Sequence, residues 1–269
     1  MTMTQQGGEL DKEWLAFRGA LERAIGVPLG QYKEPQMKRR LAAVMTRHNI
    51  TGWPAFTKAI GADDKLLTDV RDTLTINVSE FFRQADRFLE LQQTVFPRLL
   101  EERKTLKLWS AGCSVGCEPY TLAMILNEVD PRGTHSLLAT DVDMPILARA
   151  RQGTGYAPAE IRSVPPALLK KYFVQEPAGT FRVTDEIRRR VTFRRHDLLS
   201  DAYPNDLDLI LCRNVVIYFT EPAKQQIYTG FAKALRPNGL LFIGGSEMIM
   251  RSQELGFRTA STSIYRKAA

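Results

Sequence analysis

The stretch L-K-L-W-S-A-G-C-S-V-G-C-E-P-Y, from Leu106 to Tyr120, decides the fold class of this chain. An apolar strand runs directly into a turn that contains Gly112 and Gly116, and a helix follows. Glycine lets the backbone turn sharply and approach a ligand without a Cβ, while the amides at the helix start face the same point. This is where α/β proteins hold a cofactor. The spacing G-x-x-x-G differs from the dinucleotide fingerprint and from the phosphate loop.

A second strand helps to distinguish a cofactor turn from a merely tight connection. About thirty residues further on, L-L-A-T-D-V-D (137–143) is apolar and ends in carboxylates. A carboxylate at the tip of the second strand of a doubly wound sheet can accept hydrogen bonds from ribose hydroxyls. Together the two segments predict a nucleoside site.

Length and composition are those of an ordinary globular protein with one large domain and a smaller one. The 269 residues are 44% hydrophobic and 25% charged, which suffices for a substantial core. No uncharged apolar run approaches the roughly 20 residues that span a bilayer. The polar start, Met1 to Gly8, lacks the apolar core of a signal peptide. We therefore expect a cytoplasmic monomer that does not insert into membranes.

The three cysteines, Cys113, Cys117 and Cys212, form no disulfide framework, which fits a reducing compartment. The first two share a C-x-x-x-C spacing, but the three histidines lie far away in sequence. We therefore expect no metal site and interpret the cysteines as small residues packed near the sheet.

The net charge of +7 is concentrated in one segment. Between Arg149 and Arg195, eleven Lys or Arg stand against four Asp or Glu, an excess as large as that of the whole chain. Such a segment can meet nucleic acid, an anionic lipid surface or an acidic protein, or it can be a solvated face. Aromatic residues do not interleave with this charge as a platform for stacked bases requires. Nucleic acid is therefore not the favoured partner.

Apolar residues at helical spacing predict an all-α N-terminal domain over 1–75. Its second helix has an apolar side that contains Met37, Leu41 and Val44. The plain interpretation of the basic residues beside it is a solvated flank. Five basic residues belong to this helix: Lys33, Lys38, Arg39, Arg40 and Arg47. Of these, Lys33, Arg40 and Arg47 stand seven residues apart.

From residue 76 to 269 strands and helices alternate, which predicts a mainly parallel sheet covered on both faces. The segment 153–190 interrupts the pattern, and its prolines and alternating Phe181 and Val183 predict an inserted subdomain with some β-structure. Strands are predicted over 106–110, 136–140, 191–195, 207–212, 239–244 and 263–266, and helices over 118–129, 144–152 and 221–235.

Five strings stand in order along the chain: T-I-N-V-S-E-F-F-R (75–83), W-S-A-G-C-S-V-G-C-E-P-Y (109–120), A-T-D-V-D (139–143), C-R-N-V-V-I-Y-F (212–219) and G-G-S-E (244–247). Together they resemble the CheR family of bacterial chemotaxis receptor methyltransferases, from about Trp14 to Arg266. The resemblance implies a class I S-adenosylmethionine-dependent methyltransferase domain of Rossmann-like α/β fold. It also implies an inserted small antiparallel β-subdomain and an all-α N-terminal domain.

The activity implied by the resemblance is protein-glutamate O-methylation. The methyl group of S-adenosylmethionine passes to glutamate side chains in the cytoplasmic helical bundle of chemoreceptors, the methyl-accepting chemotaxis proteins. The products are glutamyl methyl esters and S-adenosylhomocysteine. In the family this reaction serves chemotactic adaptation.

The resemblance also implies roles for residues around the cofactor. Asn77, Ser79 and Arg83 would meet its methionine end, Glu118 its amino group and Asp141 its ribose. Three positions depart from the usual residues of the family: Ser79 replaces threonine, Cys117 replaces a second glutamate found in many members, and Asp197 replaces asparagine.

Further positions follow from the same motifs. Asp197 and Leu198 would lie beside the adenine, and Gly112 in the cofactor turn. Arg213, Asn214 and Tyr218 would face the reacting centre at the end of the fourth strand of the parallel sheet. We interpret Arg83 and Tyr218 as the catalytic residues, because a guanidinium can hold a carboxylate and a phenol can donate a hydrogen bond.

Chemoreceptor methylation segments are acidic helices, so a basic helix has the charge to bind them. This assigns Lys38, Arg39, Arg40 and Arg47 to substrate binding, with the segment from Arg149 to Arg195 as the competing surface. The short loop near Pro177 favours independence from a C-terminal receptor tether peptide. Two other functions stay open: an RNA-modifying methyltransferase, and a cofactor-binding module without turnover.

Overall fold

The computed structural model of the chain describes residues 3–75 and 79–268, with side chains from residue 11 onward. The chain divides into two compact units. The helical unit comprises Met1–Asn77 and Tyr218–Glu221, and the sheet unit comprises Val78–Ile217 and Pro222–Ala269. No helix in the described part of the chain has the length and apolar character to cross a membrane.

Four helices and one short 3-10 turn form the helical unit. Aromatic side chains hold it together: the rings of Phe17 and Phe56 stack at 4.9 Å, and Trp14 meets Trp53 edge-on at 4.8 Å. Large buried aromatic surfaces of this kind dominate the stability of small cores. The elements are α1 (Met3–Ile25), the turn Leu29–Gln31, α2 (Glu34–Arg47), α3 (Trp53–Ile60) and α4 (Asp64–Thr75).

A short segment from late in the chain completes the helical unit. Phe219 forms an isolated antiparallel bridge with Tyr32, and the two rings lie 4.7 Å apart. The backbone N–H of Lys33 donates to the carbonyl of Tyr218 at 2.8 Å, and that of Thr220 donates to Gln31 at 2.9 Å. These are backbone contacts between segments far apart in the sequence, which helical periodicity does not encode, so the sequence did not indicate them.

A seven-stranded sheet in the order β5-β2-β1-β6-β7-β9-β8 is the centre of the sheet unit. The first five strands in that order run parallel, and β9 and β8 are antiparallel additions at one edge. The strands are β1 (Lys107–Ala111), β2 (Ser136–Asp141), β3 (Phe173–Gln175), β4 (Phe181–Val183), β5 (Val191–Arg195), β6 (Leu207–Cys212), β7 (Leu235–Ile243), β8 (Phe257–Ser261) and β9 (Ile264–Lys267).

α-Helices follow strands β1, β2 and β6 of the sheet. A continuous helical rod precedes β1 and contains a π-helical turn at Leu91–Val95. The helices are α5 (Ala85–Glu90), α6 (Phe96–Glu102), α7 (Cys117–Val129), α8 (Met144–Gln152), α9 (Pro158–Ile161), α10 (Pro166–Tyr172), α11 (Asp185–Arg188) and α12 (Glu221–Ala234), and short 3-10 turns lie at Val216–Tyr218 and Ser252–Leu255.

The segment between α8 and β5 is an inserted subdomain around the antiparallel pair β3 and β4. Its apolar side chains, Tyr156, Tyr172 and Val183, are buried in the same core as the sheet. With the all-α region and the class I sheet, this confirms the predicted fold class.

Three details differ from the sequence prediction. Strand β8 was not predicted, because only Phe257 of its five residues is buried and an exposed edge strand has no apolar pattern. Strand β7 begins at Leu235 and not at 239, although Pro237 and Gly239 lie within it. Leu235 pairs with Leu207 of β6, and the register between the two strands shifts after this pair. The short helices of the insertion were also missed, because four to seven residues carry too little periodicity.

We predict that Gly112→Ala destabilises the protein more than Gly155→Ala. Both glycines have positive φ, +80° and +71°, but a Cβ on Gly112 would lie 2.4 Å from Cγ2 of Val215, whereas nothing lies within 4 Å of one on Gly155. Left-handed strain should lower the free energy of unfolding by about 1–2 kcal/mol in both variants. Overpacking should remove about 1–3 kcal/mol more at position 112. Urea denaturation measures both values, and equal losses would show that Val215 moves aside without cost.

Candidate active site

The carboxyl ends of five parallel strands share one edge of the sheet, and predicted site residues lie at four of these ends. Strand β1 lies at the centre of these five strands. On one side of it the chain continues through β2 and β5, and on the other side lie β6 and β7. Ligands of open α/β sheets bind at such a reversal of strand order. Predicted residues at this edge are Gly112 after β1, Asp141 at the end of β2, Asp197 after β5 and Arg213 after β6.

The turn after β1 is held against β2. The N–H groups of Gly112 and Cys113 both donate to the carbonyl of Thr140, at 2.8 and 2.9 Å. The left-handed φ values of Gly112, Ser114 and Gly116 direct the chain into α7. The methyl groups of Val215 fill the space beside Gly112, so this glycine serves the packing of two loops and offers a ligand only backbone atoms.

Asp141 lies where a ribose partner is expected. Its Oδ2 accepts the N–H of Ser114 at 2.9 Å, and its Oδ1 accepts that of Asp143 at 3.1 Å. Burial raises the pKa of Asp141, and these backbone hydrogen bonds oppose the shift. A carboxylate has about four acceptor sites, so Asp141 keeps acceptor capacity for a ribose hydroxyl.

Glu118 lies in the first turn of α7, at the strand-order reversal between β1 and β6. Ser110 of β1 donates its hydroxyl to Oε1 at 2.8 Å, and Nη1 of Arg213 lies 3.5 Å from Oε2. Burial raises the pKa of Glu118, and the Arg213 charge opposes the shift. A carboxylate in this position can pair with the ammonium group of a cofactor.

The side chain of Arg213 is buried, with only 3% of its surface exposed. Its Nη2 donates to the carbonyl of Arg83 at 2.8 Å and to Oε1 of Gln84 at 2.7 Å. Phe88 and Phe242 lie 5.0 and 4.8 Å from the guanidinium carbon. The Nη groups of Arg213 therefore bind protein groups, and its Nε is buried with no hydrogen-bonding partner among the described residues. A contact between Arg213 and the cofactor stays a prediction.

Arg83 is exposed between two residues in the left-handed region, Phe82 at φ +55° and Gln84 at +64°. Buried anchors hold this backbone: the N–H of Phe82 donates to the hydroxyl of Thr121 at 3.2 Å. Burial lowers the pKa of Arg213, the Glu118 charge opposes this shift, and the Arg83 charge adds to it. Non-glycine residues in this conformation persist only where surrounding contacts fix them, often at functional sites.

Ser79 forms a side-chain hydrogen bond with Cys117, and this bond opposes the burial that raises the pKa of the thiol. Two of the positions that depart from the usual family residues are therefore in contact. Asn77 lies outside the described residues. Within the described chain, no cluster of His, Cys, Asp and Glu is arranged to hold a metal ion.

Asp197 and Leu198 follow β5 and are both largely buried. Asp197 accepts the N–H of Leu199 at 2.9 Å, a local turn that an asparagine oxygen can also form. Leu198 lines a groove of about 630 Å³ together with Tyr203 and residues of α12. Asn214 follows Arg213 in the left-handed region at φ +59°.

Tyr218 belongs to the helical unit, where the guanidinium carbon of Arg40 lies 4.7 Å from the centre of its ring. Arg40 also points a donor at the carbonyl of Leu74 at 3.4 Å. Arg40 thus has two partners within the unit, whereas the sequence assigned it to the substrate.

The other basic residues of α2 that were assigned to the substrate differ in whether they have partners within the protein. Lys38 pairs with Glu34 at 2.7 Å, and Arg47 binds Asp69 at 2.9 Å. Arg39 is exposed and has no ionic or hydrogen-bonding partner in the part of the chain that the structure describes. The four residues proposed for substrate binding are therefore not equivalent.

Two residues at the sheet edge received no role in the sequence analysis. Gln84 accepts from Arg213, and Glu247 accepts the N–H of Asn214 at 3.0 Å. Glu247 ends the G-G-S-E string, which was a usable sign, but nothing in the sequence reveals that its carboxylate turns back onto another loop.

Comparisons with known proteins agree with this geometry. The family model described as "CheR methyltransferase, SAM binding domain" matches residues 77–266, and that described as "CheR methyltransferase, all-alpha domain" matches residues 12–75. The chain belongs to the CheR methyltransferase family. The CheR match also identifies S-adenosylmethionine as the cofactor. Its ribose and ammonium groups fit the carboxylates of Asp141 and Glu118, which keep acceptor capacity at the sheet edge.

Individual relatives of this CheR chain carry chemotaxis names. The "Chemotaxis protein methyltransferase" of Listeria monocytogenes is 40% identical over 96% of this chain and 98% of its own length. The "Chemotaxis protein methyltransferase 1" of Pseudomonas aeruginosa is 34% identical over 87% of this chain and 89% of its own. A solved TehB-like S-adenosylmethionine-dependent methyltransferase from Corynebacterium glutamicum covers 68% of this chain and 93% of its own, with 16% identity and a TM-score of 0.37. That last likeness is too distant to bear on function.

We predict that Asp141→Ala weakens the binding of S-adenosylhomocysteine without unfolding the protein. Loss of charge-assisted hydrogen bonds to the ribose should cost about 1.5–3 kcal/mol. Isothermal titration measures the affinity, with Asp206→Ala as the control, because Asp206 precedes β6 at the opposite edge of the sheet. Unchanged affinity of Asp141→Ala would remove this residue from the site.

Proposed function

We propose that this protein transfers the methyl group of S-adenosylmethionine to glutamate side chains of chemoreceptor cytoplasmic helices, giving glutamyl methyl esters. The observation that carries the proposal is the exposed residue Arg83, whose backbone carbonyl accepts from Arg213 at the same sheet edge as Glu118 and Asp141. It offers a cation for a substrate carboxylate next to the groups suited to the cofactor. The chemotaxis names of the relatives support the substrate class.

The reaction requires little acid–base chemistry from the protein. A glutamate side chain has an ordinary pKa of about 4.3, so the nucleophile is already ionised at neutral pH. When bound, the cofactor supplies an electrophilic methyl group on a positively charged sulfur. The protein must orient the substrate carboxylate and exclude water. In this proposal Arg83 holds the carboxylate and does not act as a base. The catalytic assignment of Tyr218, which belongs to the helical unit, stays a prediction from the sequence.

The basic segment from Arg149 to Arg195 gives little support to the RNA alternative. Partners within the sheet unit occupy seven of its eleven cations. Arg162 binds Glu80 at 2.9 Å and Lys171 binds Glu128 at 2.7 Å, for example. Cations already paired with carboxylates release less energy on binding phosphates, because the existing contact must be broken or shared. The same pairing weakens this segment as a receptor surface.

The function is tested by labelling with cofactor that carries a radioactive methyl group. A purified receptor cytoplasmic domain should acquire label that is released by mild base, as carboxyl methyl esters are, and total RNA should not. Label on RNA would support the alternative methyltransferase. Cofactor binding without label on either substrate would support a binding module.

For catalysis, we predict that Arg83→Ala lowers the single-turnover methylation rate far more than it lowers cofactor affinity. An interaction that positions the substrate in the transition state appears in the rate at saturating cofactor. Arg87→Ala is a matched control, because Arg87 lies four residues further on and pairs with Asp86 and Glu90. If the rate survives and only affinity falls, Arg83 is a cofactor-binding residue and the positioning role is wrong.

For receptor binding, we predict that Arg39→Ala raises the apparent Michaelis constant for receptor and flattens the salt dependence of the rate. Exposed charges act mainly on encounter, and salt screens them over about 10 Å at 0.1 M. Arg39 is the sharpest choice, because Arg40 and Arg47 have partners whose loss would disturb the helical unit. Lys58→Ala, at the end of α3, is the control for loss of one exposed charge. Wild-type receptor kinetics for Arg39→Ala at low salt would remove Arg39 from the receptor surface, and the same result with Lys38, Arg39, Arg40 and Arg47 all replaced by alanine would exclude α2.

A further inference from the structure

The turn after β7, from Gly244 to Glu247, places a buried carboxylate against a neighbouring loop. Oε2 of Glu247 accepts the N–H groups of Asn214, at 3.0 Å, and of Gly244. The residue is 9% exposed, and Oε1 is buried with no hydrogen-bonding partner among the described residues. Burial raises the pKa of Glu247, and the backbone hydrogen bonds and the Arg213 charge oppose the shift.

Both glycines of this turn are needed for close approaches. A Cβ on Gly244 would lie 2.6 Å from Oε2 of Glu247 and 3.0 Å from the backbone nitrogen of Asn214. A Cβ on Gly245 would lie 2.4 Å from Nε2 of Gln84. The turn therefore touches two separate segments of the sheet edge, one at Asn214 and the other at Gln84.

Both segments have strained backbone at the point of contact. Asn214 and Gln84 have φ values of +59° and +64°, in the left-handed region that residues other than glycine adopt rarely. Such residues stay in place only where neighbours over-determine them. Glu247 supplies an acceptor for the N–H of Asn214, and the bare Cα of Gly245 leaves room for the Gln84 amide.

Both segments carry predicted site residues: Arg83 was predicted to meet the methionine end of the cofactor, and Arg213 and Asn214 to face the reacting centre. Gln84 directly follows Arg83, and its Oε1 accepts from Arg213. Val215 directly follows Asn214, and its methyl groups fill the space beside Gly112 in the cofactor turn. A displacement of the loop at Asn214 would therefore reach both the Arg213 cluster and the turn after β1.

We propose that Glu247 is a positioning residue for the cofactor site. Its carboxylate holds the left-handed turn at Asn214, and through that turn it fixes Arg213 against Glu118 and Val215 against Gly112. Glu247 does not touch the cofactor, since both of its oxygens are enclosed by protein. The proposal depends on cofactor binding at this edge of the sheet. It rests on the proposed function only where methyl transfer to receptor is measured.

The test compares Glu247→Ala, Glu247→Gln and Gly244→Ala by isothermal titration with S-adenosylhomocysteine. Glu247→Ala should bind about tenfold more weakly or worse, because it leaves buried backbone donors without an acceptor. Glu247→Gln should recover most of the affinity, because its amide oxygen can still accept. Glu254→Ala is the control, since Glu254 is exposed and pairs with Arg251 in the next turn.

A double-mutant cycle tests whether the two residues act together, and Gly244→Ala and Glu247→Gln keep the proposal testable if Glu247→Ala is poorly folded. Gly244→Ala should weaken binding in the wild-type background and beside Glu247→Gln, whose amide has the same shape as the carboxylate. It should weaken binding much less beside Glu247→Ala, because its cost arises at the clash with the side chain at position 247. Near-UV circular dichroism should show a native fold in Gly244→Ala and Glu247→Gln.

The proposal is overturned if Glu247→Ala binds like the wild type, or if glutamine restores nothing, or if the Gly244 and Glu247 effects are additive. A wild-type protein that binds S-adenosylhomocysteine but does not methylate receptor contradicts the proposed function instead. That outcome leaves the Glu247 assignment to be decided by the titrations.

Discussion

The burial of one guanidinium organises the functional edge of the sheet. The side chain of Arg213 is 3% exposed and lies against the rings of Phe88 and Phe242. Removing one partner of a buried ion pair typically destabilises a protein by about 3–5 kcal/mol, because the remaining charge is left uncompensated. Arg213 therefore requires the carboxylate of Glu118, the carbonyl of Arg83 and the amide oxygen of Gln84. These requirements bring the start of α7 and the segment before α5 to the end of β6.

The consequence is a division of roles between two arginines that lie close enough for their charges to interact. Arg213 uses its donors inside the protein, and the backbone of Arg83 is one of its acceptors. The side chain of Arg83 is exposed as a result, in a backbone conformation that the buried Phe82 and the Gln84 amide hold in place. The backbone that carries Arg83 is thus fixed by contacts of its two neighbours, while its side chain is exposed.

Features that depend on residues close together in the sequence could be predicted, whereas features that depend on contacts between distant segments could not. Strand β1, its glycine turn and the carboxylate of Asp141 were predictable because each rests on local patterns of apolar residues, glycine and acid. The burial of Arg213 was not, since its sequence neighbours do not show that two phenylalanines from distant elements cover it. Arg40 and Arg47 belong to a regular basic helix in sequence, but Leu74 and Asp69 of α4 lie against them in space.

The pair Ser79 and Cys117 shows how a departure from the usual family residues can be accommodated. Many members have glutamate at the position of Cys117, which here is completely buried at the start of α7. A second carboxylate there would stand next to Glu118, whose pKa burial already raises. Burial raises the pKa of the Cys117 thiol and keeps it neutral, and Ser79 bonds to it. The edge thus keeps one carboxylate, Glu118, in contact with the Arg213 guanidinium, and avoids the cost of desolvating a second like charge beside it.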